Sequence, residues 1–388
     1  MSQITLAVIL LAAAGLMQRT FQNLRSVEPG FDPTGVVAVD VALPYSRYQR
    51  YELTTGFYRQ LVDQVKTIPG VRHAAVGSDL PIEASDGCSV FDYPDRPPTT
   101  DVTCIQNAIV GPEFFTTLGI TLQGRDLTWA DLDSKTGAAA ISDVLARRLW
   151  PGGEALDRAI SGPNDRTSPP FRVVGISQGL RWRGLDRAPV ESAFFPLEPI
   201  PGTWLWSPPA RVVLVAKVAG EPVSIVPNIR QLARQIEPEV AISNPRSMEQ
   251  VVARSLLRVR LIMTLLALAS AVAVFLSVVG LYGVIAYLVT RRTQEIGIRI
   301  ALGASASSVR RRIVGQSLGL AAGGVMLGII GALALTRFLS GLLFGVSPTD
   351  PVTLGLAAVA LLLVAAGASL VPARRATRVS PIEALRSE

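Results

Sequence analysis

Three stretches near the C-terminal end of this sequence, Leu261 to Val289, Ile313 to Leu335 and Val352 to Val371, contain no Asp, Glu, Lys or Arg. A helix needs about 20 apolar residues to cross a bilayer core, where each backbone N–H and C=O must be satisfied within the segment. All three windows are long enough, and they constrain the chain to a membrane-spanning helical module. Composition agrees: 49% of the residues are hydrophobic and only 17% are charged, which is low for a soluble globule. At 388 residues there is room for one sizeable soluble domain beside the spans.

A fourth apolar run, Ile4 to Met17, is shorter. It spans only if its helix continues through Phe21 and Leu24 with Arg19 reaching the interface. Its "AAAG" ending also suits the cleavage site of a signal peptide, but "MSQ" supplies no positive n-region, so a retained helix is the favoured reading. Either way the residues that follow cross the membrane.

The net charge is +7, and its placement matters more than its size. Arg291, Arg292, Arg299, Arg310, Arg311 and Arg312 face one acid, Glu295, between the first two windows; Arg374, Arg375, Arg378 and Arg386 follow the last. Short basic loops stay in the cytoplasm, so both segments are expected inside. Arg254, Arg258 and Arg260 break that pattern outside, at the end of a long translocated block where the rule is weak.

That block, about residues 25–255, has mixed charge, many prolines and most of the aromatics. Gly35 to Leu43, Gly137 to Ser142, Phe171 to Ser177 and Ala210 to Val218 read as strands. Helical patterns interleave: Leu53, Phe57, Leu61 and Val65 recur every four residues until Pro69-Gly70, and Ser142 to Gly153 is a second case. The expected fold class is therefore a membrane protein: a bundle of four transmembrane helices, the first short, with a large α+β extracytoplasmic domain inserted between helices 1 and 2.

The sequence holds one histidine, His73, and no G-x-x-x-x-G-K-[ST]. Histidine-rich metal sites and P-loop nucleotide binding are thereby excluded, and no metal ligand set is expected. The spans carry no ionisable residue of the kind that marks a proton relay. Cys88 and Cys104 both lie in the exported block, where an oxidising compartment permits a disulfide; the alternative is two thiols too far apart to bond. Glu83, Asp86, Asp92 and Asp95 cluster near Cys88, but acids in a proline-rich loop are usually solvated and no base accompanies them.

Between the first two windows, Arg291 to Leu302 reads as a short helix with a Glu295–Arg299 i, i+4 pair, ended by Gly303, after which Ser305 or Ser307 can cap the next span. Binding of anionic lipid heads accounts for its arginines and leaves "EIGIRIALGAS" unexplained. Gly315, Gly319 and Gly323, and separately Gly324 and Gly328, recur at i, i+4 and suit close helix packing, against the alternative of ordinary glycine enrichment in membrane helices.

"RRTQEIGIRIALGAS" (Arg291 to Ser305), "LFGVSPTDPVTL" (Leu343 to Leu354) and "VPARRATRVSPIEALRSE" (Val371 to Glu388) closely resemble the C-terminal module of FtsX-like ABC transporter permeases. Val27 to Pro44, Val110 to Leu127, Ile141 to Gly153 and Phe171 to Asp186 are similar to the MacB-type periplasmic core domain. The resemblance implies a first helix over 1–24, a periplasmic core over 25–255 and a permease module over 256–388, with helices at about 261–289, 313–335 and 352–371. It also implies a coupling helix at about 291–303 that docks on a separate ATP-binding subunit through Glu295, Ile296, Gly297, Ile298, Arg299, Gly303 and Ala304. ATP and Mg would sit on that subunit, this chain having no cofactor and no catalytic residue of its own. The implied setting is the bacterial cytoplasmic membrane. Partners there would be the ATP-binding subunit, a second permease copy or half, a periplasmic adaptor and membrane lipids, without nucleic acid. The chain also resembles the second half of tandem, double-length permeases, so an inactive half-permease is one alternative. A membrane-anchored scaffold or signalling protein that controls an envelope partner is the other.

Overall fold

The computed structural model describes residues 2–84, 88–95, 103–134, 137–162, 169–197, 209–291, 305–339 and 343–376. They divide into two compact units: residues 1–26 with 257–388, and residues 27–256.

The larger unit is built on a mixed sheet of strands β1 (Val36–Ala42), β2 (Val71–Gly77), β3 (Cys88–Ser89), β4 (Ile105–Val110), β5 (Leu122–Gly124), β6 (Ala138–Ser142), β7 (Ala159–Ile160), β8 (Phe171–Ser177), β9 (Ser192–Pro196), β10 (Arg211–Val218) and β11 (Ala241–Ser247). Their order is β11-β1-β10-β2-β4-β9-β6-β8-β5, with β3 beside β4 and β7 beside β8. β1 and β10 are buried almost throughout, so their valine-rich runs do not alternate; strands covered on both faces have no solvent side to require it. The unit's helices are α2 (Tyr51–Lys66), α3 (Phe114–Thr117), α4 (Trp129–Ser134), α5 (Asp143–Leu149), α6 (Val226–Ile236) and α7 (Met248–Ser255).

Two cores lie along this sheet. One packs α2 and α6 on β1, β2 and β10 through Phe57, Leu61, Val62, Ile229 and Leu214; the other packs α5 among β6, β8 and β9 through Leu145, Leu149, Phe171 and Phe195. Between them the β2–β4 ladder consists of the single pair Gly77↔Val110. A Cβ on Gly77 would lie 2.5 Å from the Phe114 ring, so only glycine lets that ring close on the junction.

Helix α2 corrects one detail of the sequence reading. Leu53 is exposed, and the buried face runs through Thr54, Phe57, Tyr58, Leu61, Val62 and Val65. A strict four-residue step gains about 40° per turn on a 3.6-residue helix, so the Leu53 row winds off the core face. The helix stops at a Thr67 cap, shortly before Pro69-Gly70. At the other end of the unit, Ser247 Oγ accepts from the Gln250 N–H and Gln250 Oε1 accepts from the Ser247 N–H, a capping box that ends β11 and starts α7.

The smaller unit consists of four long helices: α1 (Ser2–Arg25), α8 (Leu257–Arg291), α9 (Ala306–Leu339) and α10 (Pro351–Ala376). All four are long and apolar enough to cross a membrane. α1 is packed by the other three and is the most enclosed of them, its Ala7, Val8 and Ala12 being fully buried.

Candidate functional site

The residues expected to meet an ATP-binding subunit, Glu295, Ile296, Gly297, Ile298, Arg299, Gly303 and Ala304, lie outside the described residues, as does the tail after Ala376. The structure fixes what frames them. α8 ends at Arg291, whose guanidinium lies over the Tyr287 ring at 5.6 Å from its centre. α9 opens on Ser305, whose Oγ accepts the Ser308 N–H at 3.3 Å. Arg310, Arg311 and Arg312 occupy the next turn. Both ends of residues 292–304 are thus anchored on spans at an arginine-rich end.

From that end, α1 runs in contact with each of the other three spans, while α10 also packs directly on α9 and α8. Thr5 Oγ1 donates to the Gly324 carbonyl of α9 at 3.2 Å, and Ser277 Oγ of α8 donates to the Gln3 carbonyl at 3.1 Å. A Cβ on Gly328 would lie 2.5 Å from Val8 Cβ, and one on Gly331 would lie 2.8 Å from Ile9 Cδ1. Gly324 and Gly328 are buried, whereas Gly315 and Gly319 face outward with nothing within 4 Å. Gly323 is half-buried. The two glycine series of α9 therefore have different surroundings.

At the opposite end Arg19 does not reach the interface alone. Its Nη1 donates to Asp350 Oδ2 at 2.5 Å, while Asp350 caps α10 by accepting the Thr353 N–H at 2.9 Å. Asn23 Nδ2 donates to the Gly345 carbonyl at 2.9 Å. The pairing and the α1-facing Gly331 escaped sequence reasoning. An isolated arginine in an apolar helix and a single acid beside a later span were the available signal.

In the sheet unit Cys88 and Cys104 are joined as a disulfide with Cα atoms 5.4 Å apart. The acids once grouped near Cys88 are engaged in separate contacts. Glu83 accepts from Arg246 at 2.8 Å, beside Asp40 on the same guanidinium, and Asp95 accepts the Ala159 N–H at 3.1 Å. Asp92 joins Ser161 in an isolated bridge, and Asp86 lies outside the described residues. His73 sits on β2, half-exposed, with Nδ1 3.4 Å from Glu113 Oε2; Lys66 Nζ donates to Glu113 Oε1 at 2.6 Å. Burial pulls the Glu113 carboxyl upward, but the bonds from Lys66 and His73 outweigh it and hold the group below its ordinary value. Among the described residues, no group of three His, Cys, Asp or Glu is placed to hold a metal ion.

Two family descriptions match this chain: a MacB-like periplasmic core domain over residues 4–253 and an FtsX-like permease C-terminal module over residues 267–381. It is 28% identical over 271 residues to the macrolide export ATP-binding/permease protein MacB of Rhodospirillum rubrum, covering 66% of this chain and 39% of that protein. The chain thus spans well under half the length of that relative. It is 25% identical over 317 residues to the uncharacterized ABC transporter permease YvrN of Bacillus subtilis, covering 78% of this chain and 74% of that one. Among solved structures, the periplasmic region of MacB from Actinobacillus actinomycetemcomitans aligns at 13% identity and a TM-score of 0.38, over 60% of this chain and 96% of that one.

Proposed function

The chain belongs to the FtsX-like ABC transporter permeases with a MacB-like periplasmic core domain, and on that premise we propose that it is a permease subunit driven by a separate ATP-binding subunit. ATP hydrolysis on that subunit would move residues 292–304, and through α8 and α9 the enclosed helix α1. Because α1 runs directly into the sheet unit and α8 runs directly out of it, a shift of either helix is delivered to the extracytoplasmic domain as force. The bacterial cytoplasmic membrane is the setting, with residues 27–256 outside.

The observation that carries this reading is the arginine-flanked segment between α8 and α9, anchored by Arg291 and the Ser305 cap. There Arg299 would supply a planar guanidinium for a partner carboxylate, and Gly297 and Gly303, having no side chain, would permit close approach. The test is co-purification from membranes with the ATP-binding protein encoded nearest to the chain. Wild type is expected to capture it, while Arg299→Glu and Gly303→Trp lose it with membrane insertion unchanged. Failure of wild type to bind or regulate any ATP-binding subunit would overturn the proposal.

A further inference from the structure

The membrane unit is strongly unbalanced in charge. Asp350 is the sole Asp or Glu among its described residues, and it is committed to Arg19. Arg25, Arg258 and Arg260 are exposed, and none has an acidic partner among the described residues. These three sit together in height. Gln3 lies against Ser277 and Gly280, which sets the antiparallel register of α1 and α8. Equal counts along the two helices bring Arg25 level with the turn that holds Arg258, on the Ser277 and Gly280 side of α8.

Below that turn α8 carries a bare apolar stripe. Leu257, Leu261, Leu265, Leu268, Val272 and Phe275 recur at spacings of three and four, and Leu261, Leu265 and Leu268 are each more than 60% exposed. At about 100° per residue they share one face, with Arg258 and Arg260 on its two flanks. An apolar strip capped by two unpaired guanidinium groups matches an amphiphile with a long acyl chain and an anionic head.

We propose that the outer end of α8 is a binding site for an anionic phospholipid of the outer leaflet. The headgroup phosphodiester would accept from Arg258 and Arg260, and an acyl chain would lie along Leu261, Leu265 and Leu268. Guanidinium groups recognise phosphate oxygens through paired donors. The leaflet assignment rests on the topology of the proposed function; the headgroup chemistry does not. The same arginines that break the inside-positive pattern thereby acquire a ligand.

The test uses the full chain in detergent, titrated with phosphatidylglycerol and, separately, phosphatidylcholine, with bound lipid counted by native mass spectrometry. Each arginine strengthens attachment to anionic lipid roughly five-fold. Combined Arg258→Gln and Arg260→Gln is therefore expected to weaken phosphatidylglycerol retention about 25-fold at low ionic strength, whereas the double lysine variant keeps most of it. An unchanged melting temperature shows that the variants fold. Equal retention by the glutamine variant, equal binding of phosphatidylcholine, or displacement by inorganic phosphate at millimolar level would each overturn the proposal. So would an α8-sealed dimer that retains no lipid. Labelling of Leu257→Cys by an impermeant maleimide reads the topology independently: reaction only after the membrane is permeabilised, with lipid retained, would sink the leaflet assignment and the topology, and leave the headgroup site standing.

Discussion

Glu113 shows how much one residue can tie together. It sits in the left-handed region with φ of 62°, at the start of α3, and joins Lys66 from the end of α2 to His73 on β2. Its carboxyl is held below the ordinary value of 4.5. A group with a depressed folded pKa adds stability that is present above the unfolded value and lost as pH falls through the folded one. The Glu113→Gln variant is thus expected to be less stable than wild type at pH 7, with the difference closing as pH falls through the depressed folded value. Its side chain is 40% exposed, so the neutral-pH gap should stay under about 1 kcal/mol and shrink in salt. All five tryptophans fall between Trp129 and Trp206, within the sheet unit, so urea midpoints followed by tryptophan emission report this region. A gap that persists in acid after the carboxyl has protonated in both states would show that the amide perturbs packing and that the charge contributes little.

Among the elements, legibility followed solvent. The spans could be read because a bilayer permits only one backbone solution, and β1, β8 and β10 because β-branched runs bounded by turns have few alternatives. β2 carries Arg72 and His73, and β11 carries Asn244 and Pro245, the former with φ of 49°; both run against strand propensity and are held by sheet partners distant in sequence. Helix partners were equally hidden. Glycine spacing on α9 predicted close packing without showing which series meets α1, since spacing fixes a face and leaves its neighbour open. The difference is measurable. Gly328→Val pushes a branched side chain into Val8 and is expected to lower the detergent melting temperature of the helical signal, with a loss of about 2–3 kcal/mol. Gly319→Val adds its methyl groups to open space and should change the isolated chain by less than about 0.5 kcal/mol. Equal damage from both would mean that the outward series of α9 is also packed.

For the molecule as a whole, the two cysteines are a reporter of topology. Both lie in the unit between α1 and α8, and no other cysteine occurs in the sequence. β3 has only two residues and pairs with β4 through Cys88↔Gln106 and Ser89↔Ile105, so the crosslink is a principal fastener of this hairpin. Closing a loop of this length restricts the unfolded chain by about 3 kcal/mol, which for a unit of this size corresponds to roughly 6–12 °C. The double serine variant should therefore lower the tryptophan-reported melting temperature by that amount and leave the helical bundle's transition in place. Disulfides persist only where the compartment is oxidising. In intact cells, then, both thiols should resist alkylation until a reductant is added, whereas deletion of α1 should strand the sheet unit in the cytoplasm with both thiols reactive at once. Reactive thiols in the full chain would place residues 27–256 inside, reverse every span, and move the arginines of residues 291–312 to a side where no ATP-binding subunit could reach them.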